Sequence, residues 1–333
     1  MEEFHKPVLL KETIEWLNVK EGGKYIDATV GGGGHAIEII KRGGKVLGID
    51  CDPEAIKHVR QNLKCQISSF GKLRPFEALR SPQVFDSEVA QTRGALEEMM
   101  LSKVEASNVK SKLTLVLGNF RDLGQIGKRE GFDKVDGILF DLGVSTHQLE
   151  TSWRGFSFNS QGSLDMRMDP RLQVKAADLV NKLSGGELYE IFTKFGEENN
   201  SWAIAAAIVR ARAIEPIKTC QKLAEIIEKV NDGRRKSGRM HPATKVFQAL
   251  RMAVNGELEN LKAALPQAAA LLKDDGRLAV ISFHSLEDRL VKLFFRECPS
   301  LKILTKKPIR PGLEEIRINR RARSAKLRIG EKI

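Results

Sequence analysis

The sequence predicts an α/β protein: a doubly wound, mostly parallel sheet written in two segments and interrupted by an all-helical domain. Three observations predict it. Residues 24–50 read as strand, glycine loop, helix and a second strand ending in an acid. From about residue 150 to 241 the apolar spacing becomes helical, and a strand-like run returns at 277–283.

The elements follow in order. Lys24-Tyr-Ile-Asp-Ala-Thr-Val30 is a short strand run, and Gly31-Gly-Gly-Gly34-His35 makes the loop. Ala36, Ile37, Ile39 and Ile40 recur at helical spacing before Gly43-Gly44, and residues 45–50 form the next strand. Asp52-Pro53 opens another helix, with proline in its first turn. Runs at 113–117 and 135–140 are further strands, ending before Gly118-Asn119-Phe120 and Asp141-Leu142-Gly143. A strand–helix–strand unit needs only about 30 residues. Most of residues 65–112 is therefore an insertion, to which the sequence assigns no role.

Ser184-Gly-Gly-Glu187 is a capping box ahead of Leu188, Ile191, Phe192 and Phe195. Helices at 202–213 and 223–230 follow, broken by Pro216 and Gly233; Trp202 and Phe247 are assigned to the core. Residues 243–272 are helical in two pieces, Asp274-Asp275-Gly276 turns, and Ser285-Leu-Glu-Asp288 caps a helix over 289–295. The division is a first α/β segment over 1–148, a helical insert over 149–240, and a second α/β segment with a basic end over 241–333.

Composition narrows the classes. A length of 333 residues suits about two domains. Apolar residues at 41% and charged residues at 29% are those of a folded soluble protein, which excludes a disordered or collagen-like chain. No apolar run nears the ~20 residues of a membrane span, and the N-terminus lacks a secretory pattern, so a cytoplasmic location without membrane association is expected. Four scattered cysteines and six histidines show no ligand spacing, so no metal is expected. The net charge of +12 is concentrated: from Lys302 onward there are eleven Lys/Arg against three Glu, and Arg234, Arg235, Lys236 and Arg239 form a second cluster. Such clusters suit phosphate contacts, and they equally suit a solubilising face.

The glycine loop fits two ligands. Gly31-Gly32-Gly33-Gly34-His35-Ala36 reads as G-x-G-x-x-A, with Asp50 placed 19 residues on, where a ribose-binding acid belongs in dinucleotide sites. The same loop suits S-adenosylmethionine, whose carboxylate would face the helix N-terminus for about 0.3–2 kcal/mol.

Six motifs resemble one family. Asp27-Ala-Thr-Val-Gly-Gly-Gly-Gly-His35, Asp141-Leu-Gly-Val-Ser-Thr-His-Gln148 and Arg154-Gly-Phe-Ser-Phe158 come first. Leu164-Asp-Met-Arg-Met-Asp169, His241-Pro-Ala-Thr-Lys-Val-Phe-Gln-Ala-Leu-Arg251 and Ile281-Ser-Phe-His-Ser-Leu-Glu-Asp-Arg289 complete the set. In this order they resemble the ribosomal RNA small-subunit methyltransferase H (MraW) family from about Pro7 to Arg328, apart from the insertion. The resemblance implies a Rossmann-like class I S-adenosylmethionine-dependent methyltransferase sheet with an inserted all-helical domain. The implied reaction is methylation of the exocyclic N4 of a cytidine in the decoding region of small-subunit rRNA, within an assembled or assembling subunit. Cofactor contacts are implied at Gly33, Gly34, His35, Asp50, Phe120, Asp141 and Gln148. RNA contacts are expected from Arg154, Arg167, Arg234, Arg235, Arg239, Arg320, Arg321 and Arg323. The chain departs from the family at the 65–112 insertion and at Arg320, where a proline is usual.

A cytosine amine is a poor nucleophile because its lone pair is delocalised, so the chemistry asks for a hydrogen-bond acceptor at the amine. The Pro-Pro-aromatic motif of many amino-methyltransferases is absent. Asp141, Asp165 and His284 are therefore the catalytic candidates, Asp141 because it ends a strand at the sheet's carboxyl edge. Asp165, Arg167 and Asp169 fit a polar pocket wall and a structural salt-bridge loop equally. Phe156 and Phe158 suit base stacking or the core. Two rival functions stay open: a methyltransferase for another RNA base or a small molecule, and a non-catalytic RNA- or ribosome-binding protein.

Overall fold

The computed structural model describes residues 7–70, 112–231 and 241–333. Arg234, Arg235 and Arg239 lie outside the described residues, as does most of the 65–112 insertion. The chain runs α1 (Leu10–Leu17), β1 (Lys24–Asp27), α2 (Gly34–Lys41), β2 (Lys45–Asp50), α3 (Pro53–Phe70), β3 (Leu113–Leu117), α4 (Leu123–Arg129), β4 (Val135–Asp141) and α5 (Thr146–Glu150). Then come α6 (Ala176–Lys182), α7 (Gly185–Gly196), α8 (Ser201–Ile214), α9 (Cys220–Val230), α10 (Thr244–Asn255) and α11 (Glu257–Leu271). The last part is β5 (Leu272–Ser282), α12 (Ser285–Glu297), β6 (Leu301–Ile303), α13 (Leu313–Ile318) and β7 (Lys326–Lys332).

The described strands form one sheet in the order β3-β2-β1-β4-β5-β7-β6. The first five are parallel, and β7 joins β5 and β6 antiparallel. Period-two alternation feeds both faces, as helices on both sides require. Ile26, Ile138 and Phe140 pack with Leu123 and Leu265, while Tyr25 and Leu139 pack with Ile14, Leu17 and Ile39 on the other side. Chain order reverses between β1 and β4, which opens a crevice at their carboxyl ends.

The helices between α6 and α9 build a core of their own from Leu188, Phe192, Ile204, Ile208, Leu223 and Ile227. Helix α10 adds Val246, Phe247 and Leu250 to that core, so the packing of the helical body continues past residue 240. Ser184 and Glu187 form the expected capping box of α7. Two local expectations are corrected. Helix α12 is capped one residue earlier than expected, by His284 and Glu287, because Asp288 is drawn to Lys326 and Arg328 on β7. Trp202 is 69% exposed and meets Tyr189 edge-on, because the buried face of α8 is set by Ile204, Ala205 and Ile208.

Tyr25 shows how tightly the β1–β4 seam is packed. Its fully buried ring lies against Gly137, where an added Cβ would stand 2.9 Å from the ring and 3.0 Å from Leu17. Overpacking of this kind costs about 1–3 kcal/mol. Gly137→Ala is expected to lose that much stability in a urea titration, and an unchanged midpoint would show that the seam has slack.

Candidate active site

The carboxyl ends of β1, β2, β4 and β5 surround an open crevice with a cavity volume of about 90 Å³. Its wall carries Asp50, Phe120, Asp141, Gln148, Glu257 and Glu287, and among the described residues no lysine or arginine lines it. Of the sequence-derived cofactor residues, Asp50, Phe120, Asp141 and Gln148 meet there, whereas Gly33, Gly34 and His35 are not part of its lining.

The glycine loop is shaped by its backbone. Gly31 (φ 49°) and Gly33 (φ 82°) adopt left-handed conformations that disfavour a side chain. At Gly34 an added Cβ would collide with Pro7 at 2.7 Å. Asp50 ties the loop to β2: its carboxylate accepts the Gly31 N–H at 2.8 Å and the Asp52 N–H at 2.9 Å. A carboxylate has about four acceptor sites, so these bonds hold Asp50 while leaving capacity for ribose hydroxyls.

Three acids crowd this edge. Asp141 receives Thr29 Oγ1 against its backbone, the Asp141 N–H donating at 2.6 Å, and its Oδ2 lies 3.7 Å from His35 Nδ1. His35 is buried, with Nε2 3.2 Å from the Val8 carbonyl. Asp27 is fully buried, and burial pushes its carboxyl up to about 8 against one backbone hydrogen bond from Thr29, with Asp141 and Asp50 adding to the rise. Asp27 therefore carries a proton at neutral pH.

A buried ion cluster supports the opposite side. Asp52, 1% exposed, accepts from Gln148 Nε2 at 2.7 Å and from Arg154 Nη2 at 2.7 Å. Gln148 in turn completes a capping box with Ser145 at the start of α5. Arg154, expected at the RNA, is 3% exposed and spends its other donors on Glu54 and on the Met168 and Arg167 carbonyls.

The Leu164–Asp169 motif folds as an ion-paired loop outside the crevice lining, apart from Met168. Arg167 forks onto Asp165 at 2.7 and 2.9 Å and also reaches the Pro170 and Leu172 carbonyls. Burial alone would push the Asp165 carboxyl up, but its bonds to Arg167 and Lys175 outweigh that and hold it below its ordinary value. Phe156 is buried in the helical core, and Phe158 stacks on His241 at 4.2 Å. Phe120 meets Phe140 edge-on at 5.7 Å and keeps a face in the crevice.

His284 caps α12, with Glu287 beside it at 3.2 Å. Glu287 and Glu257 both line the crevice, and the sequence reading singled out neither. For Glu287 the signal was present as a His-x-x-Glu spacing inside the Ile281–Arg289 motif; Glu257 looks like any acid in a first helical turn. Glu257, His284 and Glu287 could ligate a metal by distance, all within 4.8 Å of one another. Arg251 forks onto Glu257 at 2.8 Å twice, Glu287 Oε2 accepts the Phe283 N–H at 2.9 Å, and His284 Nε2 lies 3.2 Å from Glu287 Oε1. Arg320 and Arg323 are exposed along a shallow groove with Arg317, whereas Arg321 is half-buried and burial pushes its guanidinium down.

This fold and crevice are those of an α/β methyltransferase. The MraW methylase family model matches residues 2–96 and 95–333, and the chain belongs to that family. It is 44% identical over 350 residues to the "Ribosomal RNA small subunit methyltransferase H" of Thermomicrobium roseum, covering 99% of this chain and 94% of that one. The protein of the same name from Carboxydothermus hydrogenoformans is 43% identical, covering 100% of this chain and 99% of that one. Among solved structures, an rRNA methylase from Streptococcus thermophilus matches over 98% of each chain with a TM-score of 0.41 and 10% identity. No described helix is long and apolar enough to cross a membrane.

The protonated Asp27 gives a pH signature. The folded chain holds this proton up to about pH 8, whereas the unfolded carboxyl releases it near 3.8. Its contribution to stability is thus complete below about pH 4 and is lost as the pH climbs through about 8. Asp27→Asn keeps the acceptor for the Thr29 N–H and removes the titration. The stability of the natural chain relative to this variant should fall across that window in denaturant titrations; a flat difference would place the proton elsewhere.

Proposed function

We propose that this chain transfers a methyl group from S-adenosylmethionine to the exocyclic N4 of a cytidine in the decoding region of small-subunit rRNA. The observation that carries the reading is the charge of the crevice: among the described residues, four carboxylates and no lysine or arginine line it. A sulfonium ligand is stabilised by such a wall, whereas the pyrophosphate of a dinucleotide would be repelled by it. The names of the relatives support rRNA as substrate, and the basic C-terminal segment supports an anionic partner.

The residues present fit this donor. Asp50 accepts from its ribose hydroxyls, Phe120 offers a ring to the adenine, and the glycine loop leaves the backbone open for close approach. When bound, S-adenosylmethionine supplies an electrophilic methyl group. The protein's own part is positioning, which supplies most of the rate in such a transfer. Asp141 accepts a hydrogen bond from the cytosine amine and keeps its lone pair available. Arg154 and Arg167 act from behind, by holding the loops that border the crevice. Arg320, Arg321 and Arg323, with Arg234, Arg235 and Arg239, hold flanking phosphates of an unstacked cytidine, in an assembled or assembling small subunit in the cytoplasm.

Incubation with methyl-labelled S-adenosylmethionine and small subunits lacking the modification, followed by nucleoside mass spectrometry, should yield labelled N4-methylcytidine. Label in another nucleoside would overturn the acceptor assignment. Asp141→Asn should lower turnover by roughly 10²-fold or more, measured in single-turnover assays with saturating donor; normal turnover with weakened donor binding would exclude a catalytic role. RNA affinity should fall steeply between about 50 and 200 mM salt, and a salt-independent affinity would remove the arginines from the interface.

A further inference from the structure

Strands β4 and β5 are neighbours, with Asp141 in register with Ile281 and the Leu142 N–H donating to the Ile281 carbonyl at 3.0 Å. Beyond Ile281 the chain turns through Phe283 and His284 into α12, so Asp141 and the first turn of α12 leave adjacent strands at the same edge. Phe283 lies over Gly143, where an added Cβ would be 3.6 Å from its ring. Phe283 and Glu287 thus form crevice wall beside the Asp141 loop.

Glu287 is held firmly. Its Oε2 accepts the Phe283 N–H at 2.9 Å and the His284 N–H at 3.4 Å, and its Oε1 lies 3.2 Å from His284 Nε2. It is 3% exposed and still faces the crevice. The nearby guanidinium of Arg251 is forked onto Glu257. Burial pushes the Glu287 carboxyl up, but His284, Arg251 and the backbone bonds outweigh it and bring it below the ordinary value, so the group is ionised and can only accept.

We infer that Glu287 selects an exocyclic amine over a carbonyl at the acceptor base, taking one N–H of the amine while Asp141 takes the other. The inference rests on the cytidine reading above. A cytosine amine offers two N–H donors in the plane of the base, and carboxylates are natural acceptors for it. With both held, the nitrogen lone pair, perpendicular to that plane, is left to face the methyl donor. Uracil presents a carbonyl oxygen at the same place, and two acceptors would then meet with no proton between them.

The test is Glu287→Gln, whose amide oxygen retains the backbone bonds of the cap and whose amide N–H can donate to a carbonyl. Binding and methyl transfer are measured on small subunits carrying cytidine or uridine at the target position, beside S-adenosylmethionine affinity and thermal midpoint. The natural chain is expected to prefer cytidine by roughly 10–100-fold in binding. Glu287→Gln is expected to lose that preference and to transfer methyl at least about 100-fold more slowly, with donor affinity and midpoint retained. An unchanged cytidine preference or an unchanged rate in this variant overturns the inference. If Glu287→Gln does not fold, Glu287→Asp takes its place: the retracted carboxylate should keep the preference and lower the rate, and a natural rate overturns the inference. Should the natural chain label some other nucleoside, the cytidine reading itself fails; N4-methylcytidine from the natural chain with natural discrimination by Glu287→Gln defeats the role of Glu287 alone.

Discussion

The buried ion pair between Asp52 and Arg154 is the interaction on which the rest of the site depends. Both side chains are nearly fully buried, at 2% and 3% exposure, and 102 residues of chain separate them. Taking two charges out of water costs several kcal/mol per ion, which a good geometry offsets only when the remaining donors and acceptors are also satisfied. Here they are: Asp52 takes two bonds from Arg154, one from Gln148 and one from the Glu54 N–H. Arg154 adds Glu54 and two carbonyls. The pair therefore fastens the start of α3, helix α5 and the Met168 loop to one another. Those three segments supply one side of the crevice through Cys51, Gln148 and Met168.

The other side rests on acids that the protein controls one at a time. Asp27 is protonated by burial, Asp50 is tied to two backbone N–H groups, Glu257 is forked by Arg251, and Glu287 caps α12. Each solution reduces the repulsion locally, and among the described residues no lysine or arginine lines the crevice. The consequence is a negatively charged wall, while the arginines of the C-terminal segment line a separate groove outside it. Acidic and basic groups are thereby kept on separate surfaces.

Much of the sheet was legible in the sequence, because its signals are local. The 24–50 unit, the strands ending at Asp141 and Ser282, and the Ser184 capping box each follow from spacing within one or two elements. Asp50, Phe120 and Asp141 follow from the same local signals, since parallel strands deliver their carboxyl ends to one edge, whereas Gln148 was implied only by the family resemblance. What was not legible depends on partners distant in sequence. Arg154 in a glycine- and phenylalanine-rich motif looks like a phosphate contact, and only the fold reveals that Asp52 receives it. Trp202 reads as core by residue type, but the surface of α8 that faces α7 and α9 is filled by smaller apolar residues. The spacing places the cap of α12 one residue late because Ser285-x-x-Asp288 and His284-x-x-Glu287 overlap over residues 285–287, and the demand of Lys326 and Arg328 for Asp288 decides between them.

The most direct measurement is calorimetric titration of S-adenosylmethionine into Arg154→Met. Removing one partner of a buried pair typically costs about 3–5 kcal/mol, so the titration is run under conditions where circular dichroism shows the variant folded. If the Asp52–Arg154 pair holds the crevice open in its binding geometry, donor affinity falls by roughly 10-fold or more although Arg154 lines none of the crevice. A folded variant that binds the donor as tightly as the natural chain would contradict the account.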